Sequence, residues 1–230
     1  MEVIKKVKNY MTLFQWLEVL AVIGFTLYFA ITNQTNSVGY IIMDSLAAIC
    51  GIFCVVLCAA GKKSQYYWGF VNIVAYIVIA MVNKYYGQVL LNALYYLPTQ
   101  FIGMYMWKRH MNEEKKEVKS KRMSVKQIVL FSLGALVCIV GYRYFLKFLG
   151  GNATWLDSAT NMISLIANAL MVLRFREQWA LWIIVDIITV IMWVLAGDLI
   201  MITMWSVYLL NAFYGFYMWS KMNKANIEND

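Results

Sequence analysis

The chain has 230 residues, 62% of them apolar and 14% charged, with a formal net charge of +8. A water-soluble domain carries roughly a quarter charged residues, so this composition excludes a soluble globular fold and marks a polytopic membrane protein. The positive balance does not point to nucleic acid, because Lys and Arg fall almost wholly between apolar segments, where the positive-inside rule accounts for them.

Eight apolar segments follow one another, at 12–32, 38–60, 66–83, 86–107, 126–149, 155–173, 178–196 and 198–220. Each is about as long as a helix that crosses the bilayer core. The first follows Lys5, Lys6 and Lys8, as in a signal peptide, but its apolar run is too long and lacks a clear small-residue cleavage site. It reads as an additional N-terminal membrane helix, with Glu18 facing protein or a water-filled surface. Trp and Tyr, nine and sixteen in number, exceed what interfacial belts require, which leaves aromatic residues over for an interior cavity.

Orientation comes from alternate loops. Three N-terminal lysines, Lys62, Lys63, the basic residues of 108–126, Arg174, Arg176, Lys221 and Lys224 lie on one side. Only Lys84, Arg143 and Lys147 lie on the other. Both termini are therefore expected in the cytoplasm, with the loops near 34–37 and 150–154 outside. The stretch KRHMNEEKKEVKSKRMSVK is the one long polar segment and reads as a solvated cytoplasmic connector, with recognition of anionic membrane lipid or of a partner as the alternative. Asn33-Gln34-Thr35 and Asn152-Ala153-Thr154 match glycosylation sequons but sit too close to membrane helices to carry weight.

Four cysteines make no disulfide pattern. Cys50, Cys54 and Cys58 share a helix face, but the one histidine, His110, lies in a loop, so no metal site is expected. No nucleophile–base pair occurs inside the apolar segments, which argues against an enzyme; no cofactor is expected.

The second half repeats the first. GMYMW at Gly103–Trp107 returns as GFYMW at Gly215–Trp219, and Asp44-Ser45 returns as Asp157-Ser158. Gln65, Trp68 and Asn72 share the i, i+3, i+7 spacing of Trp179, Trp182 and Asp186. A three-helix unit that starts outside ends inside, and the 126–149 helix crosses back, so both copies start outside. The expected fold is an all-α membrane protein of two parallel three-helix repeats joined by a linker helix, three plus one plus three, with the extra N-terminal helix. Its parts are 1–37, with the extra helix; 38–107, the first repeat; 108–154, loop and linker helix; 155–220, the second repeat; and 221–230, a cytoplasmic tail.

In carriers built from repeats, the site lies near mid-membrane where the copies meet, so polar residues in register on one helical face are the candidates. Asp157, Asn161, Ser164 and Asn168 make one stripe; helix–helix hydrogen bonding is its structural alternative. Gln88, Asn92, Tyr96, Thr99 and Gly103, with Gln100 adjacent, make another, and Tyr208, Asn211 and Gly215 match its end. Trp107 and Trp219 end their helices beside lysines and read as interfacial anchors. Trp182 and Asp186 lie deeper, where an ionisable group is expensive and functional by default. Pro98, the chain's one proline, sits inside an apolar helix and is expected to kink it, as a hinge or as a fixed bend.

QYYWGFVN, LNALYYLPTQFIGMYMWK, EQWALWIIVDIIT and YLLNAFYGFYMW together resemble nicotinamide riboside transporters of the PnuC type, from about Asp44 to Lys221. The resemblance implies a bacterial inner-membrane vitamin transporter whose seven-helix core is similar to the SWEET sugar transporters. It also implies a homotrimer and a cytosolic nicotinamide riboside kinase that traps the imported ligand by phosphorylation. Trp179, Trp182 and Asp186 satisfy the family's W-x-x-W-x-x-x-[ND] pattern, whereas the first half departs from it, with Gln65 standing where the first Trp would be.

A cationic pyridinium suits Trp faces, and the amides of Asn72, Asn92 and Gln100 suit its carboxamide or ribose. Asp186 balances the charge, is protonated, or is structural. No Lys or Arg lies at mid-depth to hold a phosphate, which favours the nucleoside over the mononucleotide. The expected ligand residues are Gln65, Trp68, Asn72, Gln88, Asn92, Tyr96, Gln100, Asn161, Asn168, Trp179, Trp182, Asp186, Tyr208 and Asn211, with Pro98 as hinge. The expected mode is facilitated diffusion by alternating access. A thiamine or riboflavin carrier of the same fold, and a vitamin-binding subunit that needs an ATPase partner, stand as alternatives; the internal repeat argues against the latter.

Overall fold

The computed structural model describes residues 11–32, 37–84, 86–112, 116–148, 155–196 and 199–227. The chain divides into two compact units, Met1–Val118 and Lys119–Asp230. The first holds α1 (Leu13–Thr32), α2 (Val38–Ala59), α3 (Gln65–Val82) and a long rod. The rod comprises α4 (Tyr86–Leu91), a π-helical turn (Asn92–Tyr96) and α5 (Leu97–Lys108). The second holds α6 (Val125–Phe148), α7 (Trp155–Val172), α8 (Gln178–Ala196) and α9 (Leu199–Ile227). Leu13–Thr32, Val38–Ala59, Gln65–Val82 and Val125–Phe145 are, by length and composition, long and apolar enough to cross a membrane. Helix positions agree with the apolar segments to within a residue or two, except that α9 continues beyond its apolar part to Ile227.

Two helices start with a reciprocal cap. Gln15 Oε1 accepts from the Thr12 amide at 2.9 Å while the Gln15 amide donates to Thr12 Oγ1 at 3.4 Å. Gln127 Oε1 and Ser124 do the same for α6, at 2.9 and 3.3 Å. Each box satisfies amides that a helix start otherwise leaves bare. Gln15 also donates Nε2 to the Val56 carbonyl at 3.0 Å, tying α1 to α2. Gln15, Glu18, Val19 and Val22 are the buried stripe of α1, at i, i+3, i+4 and i+7. Glu18 therefore faces protein, and neither of its oxygens has a partner. No residue from Val125 to Phe145 of α6 is buried within the chain.

The turns after α2 and α7 are built alike. The Gly61 amide donates to the Cys58 carbonyl and the Lys62 amide to the Leu57 carbonyl, both at 2.9 Å; 113 positions on, Arg174 donates to Met171 at 3.0 Å and Phe175 to Leu170 at 2.9 Å. This is the helix C-cap that needs a left-handed residue, and both residues supply it, Gly61 at φ 66° and Arg174 at φ 68°. Glycine does so without strain, whereas a residue with a Cβ gives up about 1–2 kcal/mol. The next helices open in step as well. Gln65 and Tyr66 donate to Lys62 and Lys63, and Gln178 and Trp179 donate to Phe175 and Arg176.

The polar connector is not a solvated strand of chain. Met111–Asn112 and Glu117–Val118 pair as an antiparallel hairpin, and the Val118 amide donates to the Gly61 carbonyl at 2.9 Å. Lys62 Nζ meets Glu117 Oε1 at 3.4 Å. In the second unit the Lys121 amide donates to the Arg174 carbonyl at 2.8 Å and the Arg176 amide to the Lys121 carbonyl at 3.0 Å. The Met123 amide donates to Glu177 Oε2 at 3.1 Å. Val118, Ser120 and Met123 are buried. The expectation of a solvated linker fails because alternate residues of this segment supply apolar and backbone partners to the helix turns.

Candidate functional site

Within the first unit, Tyr66 at the start of α3 lies across Gly103 of α5, where any Cβ would strike its ring and hydroxyl. Trp107, one turn on, closes the contact edge-to-face at 5.2 Å. The second unit repeats the arrangement: Trp179 lies across Gly215, and Trp219 meets it edge-on at 6.3 Å. Trp107 and Trp219 are both 0% exposed. They are core residues, and the anchor reading is overturned: their proximity to Lys108 and Lys221 outweighed, wrongly, the glycine four residues earlier that makes room for a partner ring.

The same geometry corrects the repeat's register. Tyr66, not Gln65, occupies the place of Trp179, and Gln65 corresponds to Gln178; both glutamines are 0% exposed and each opens its helix. Gln65 Oε1 accepts from Cys54 Sγ at 3.3 Å. Gln178, which sequence reasoning passed over, has neither amide atom partnered, and the indole N–H of Trp179 beside it is equally unsatisfied. The shared Gln at the start of each second helix was the available signal; the more conspicuous W-x-x-W spacing hid it.

Of the other first-unit candidates, Asn72 donates Nδ2 to the Ala47 carbonyl at 2.7 Å and so clamps α3 to α2. Trp68 is stacked on Phe53, centroids 4.5 Å apart, at the unit's surface. Gln88 and Asn92 are one turn apart, and Asn92 donates its side-chain Nδ2 to the Gln88 backbone carbonyl at 2.8 Å. Tyr96 meets Tyr95 edge-on. Gln100 is buried against Gly69, whose missing Cβ leaves room for the amide, and its Oε1 has no partner. Pro98 follows the π-helical turn. The Leu97 amide reaches back five residues to the Asn92 carbonyl, so the rod widens just before the residue that cannot donate.

In the second unit, Asn168, Asp186 and Asn211 are buried, while Asn161, Trp182 and Tyr208 are half-buried. Trp182 and Asp186 lie one turn apart on α8. Tyr208 meets Trp205 edge-on at 5.6 Å. The side chain of Asp157 lies outside the described residues. Among the described residues no group of His, Cys, Asp and Glu has the arrangement of a metal site.

Apolar helices long enough to cross a bilayer, with unpaired polar atoms and the acids Glu18 and Asp186 buried among them, define a multi-pass membrane protein. Residues 41–221 match the family model described as nicotinamide mononucleotide transporter, and the chain belongs to that family. It is 39% identical over 194 residues to the nicotinamide riboside transporter PnuC of Neisseria mucosa, covering 80% of this chain and 74% of that one. It is 37% identical over 185 residues to the protein of the same name from Haemophilus influenzae, covering 78% and 79%. A crystal structure of the vitamin B3 transporter PnuC is similar over 93% of both chains, at 35% identity and a TM-score of 0.78.

Proposed function

We propose that this chain carries nicotinamide riboside across the membrane. The observation that carries the reading is the family match along most of the chain, with relatives named for that nucleoside at 37–39% identity. The family's description names the mononucleotide, and the charge distribution decides between the two. Within α2, α3, α7 and α8, and from Tyr86 to Trp107, there is no Lys or Arg to neutralise a phosphate. A nucleoside with a cationic ring needs none.

Trp182 offers the pyridinium a π face, and Asp186, one turn deeper, offers a counter-charge. Asn161, Asn168, Tyr208 and Asn211 in that unit supply donors and acceptors for carboxamide and ribose; in the first unit Gln88, Asn92, Tyr96 and Gln100 are the candidates of the same chemistry. Trp68 remains a candidate stacking face. Gln65, Asn72 and Trp179 take scaffold roles, since their contacts lie within their own units.

The architecture that goes with this reading is the parallel three-plus-one-plus-three repeat, supported by turns and helix starts that recur 113 residues apart. The charge bias supports cytoplasmic termini in a bacterial inner membrane. Transport is facilitated diffusion, with net uptake drawn by intracellular phosphorylation; a homotrimer and a partner kinase belong to the same reading. Purified protein in liposomes, with membrane voltage clamped because the ligand is a cation, should equilibrate labelled nicotinamide riboside and stop. Unlabelled mononucleotide should compete poorly. Accumulation driven by a pH or sodium gradient, or mononucleotide flux equal to that of the nucleoside, would sink this proposal.

A further inference from the structure

We infer that Lys121 and Arg174 form a binding site for a phosphate-type oxyanion on the face that the charge bias makes cytoplasmic. Their two segments are locked together by backbone bonds, Lys121 amide to Arg174 carbonyl at 2.8 Å and Arg176 amide to Lys121 carbonyl at 3.0 Å. Arg174 is 2% exposed, far more buried than a surface basic residue serving membrane orientation needs to be. Its Nη1 donates to the Lys119 carbonyl at 3.1 Å, but its Nε is buried without any acceptor.

No carboxylate among the described residues answers these charges. Glu177, the acid in the same turn, is taken by Arg176 Nε at 3.0 Å and by the Met123 amide. The Lys121 ammonium lies over the face of Phe175, its Nζ 5.7 Å from the ring centroid. Desolvation, and after it the charge of Arg174, pushes the Lys121 ammonium below its ordinary range. Two like charges held together, neither paired with a carboxylate among the described residues, are poised for an anion.

The repeat sharpens the point. The matching turn of the first unit has Gly61 at the same left-handed position, where glycine is free of strain. An arginine that accepts that strain, buries its side chain and still leaves its Nε without an acceptor has a use that the turn itself does not explain. A phosphate group, singly or doubly charged, would accept from the Arg174 guanidinium and the Lys121 ammonium together. Inorganic phosphate, a phosphorylated metabolite and an inner-leaflet phosphatidylglycerol headgroup all present that chemistry.

The test is thermal melting of the full chain in an uncharged maltoside detergent. Inorganic phosphate, or dioctanoyl phosphatidylglycerol, is added against chloride at equal ionic strength. A rise of about 2–4 °C is expected for the native chain. Arg174→Gly, which copies the first unit's turn and should fold, and Lys121→Gln should each abolish it, while Lys126→Gln keeps it. A response to inorganic phosphate assigns a soluble ligand; a response to the lipid alone assigns the headgroup. No rise with either probe, a rise undiminished in both Arg174→Gly and Lys121→Gln, or an equal loss in Lys126→Gln would overturn the inference. Because melting is read and not flux, the carrier assay can fail without touching this result.

Discussion

At the residue scale, the aromatic clasps leave no room for a side chain at Gly103 or Gly215. A methyl added at Gly215 would sit about 2.6 Å from the Trp179 ring, and neither a helix backbone nor an enclosed indole can retreat cheaply. Gly215→Ala should therefore lower stability by about 1–3 kcal/mol, the usual scale of overpacking. At Gly141 on α6 an added methyl would meet nothing within 4 Å, so Gly141→Ala should be neutral or slightly stabilising. Thermal unfolding of the two variants side by side checks the pair; equal losses would refute the contact.

Trp182 and Trp219 separate binding from folding in the same way. Trp182→Ala should leave a folded protein with nicotinamide riboside affinity weakened by about 1–3 kcal/mol, measured by calorimetry. Trp219, fully enclosed, should when truncated cost about 3–5 kcal/mol of stability before binding can be assessed. Depth could be judged from sequence for Trp182, since it depends only on distance from the helix end. Enclosure could not be judged for Trp219, since that depends on which ring lies opposite Gly215.

At the scale of elements, the helices were legible because bilayer thickness dictates their length and apolar composition marks it. Register was not. Between Tyr66 and Gly103 the chain spends one residue more than between Trp179 and Gly215, and the π-helical turn at Asn92–Tyr96 is where the rod accommodates a wider loop of backbone. No apolar pattern announces such a turn; Pro98 signalled a disturbance without revealing its form. If the turn absorbs that residue, deleting Leu94, which is 74% exposed, together with Pro98→Ala should leave a folded, monodisperse protein. Deleting Leu210 from the uninterrupted α9 should not, because every residue before it would rotate about 100° away from its partners. Size-exclusion profiles of the two deletions decide the matter.

For the whole molecule, orientation is the testable property, and the structure determines where to probe it. Ser120, within the basic connector, is buried and donates to the Trp219 carbonyl at 3.2 Å, so a cysteine there would report enclosure instead of sidedness. Lys119 and Arg122 are exposed on either side of it. A cysteine at Arg122 should react with a membrane-impermeant maleimide only after cells are opened. Labelling in intact cells would reverse the topology. The charge bias was readable from the sequence because it is a sum over loops; the burial of Ser120 was not, because its partners, the Trp219 carbonyl and the Asn223 side chain, lie 99 and 103 positions away.

Such labelling begins by removing the native thiols, and here that preparatory step is not innocent. Cys54 donates to Gln65, a fully enclosed amide at the opening of α3. Alanine at Cys54 would withdraw that donor, and a cysteine-free chain built with alanines would carry a latent defect into every later measurement. Serine keeps a donor of nearly the same reach and is the replacement of choice at this one position, whereas Cys138, exposed on α6, tolerates either.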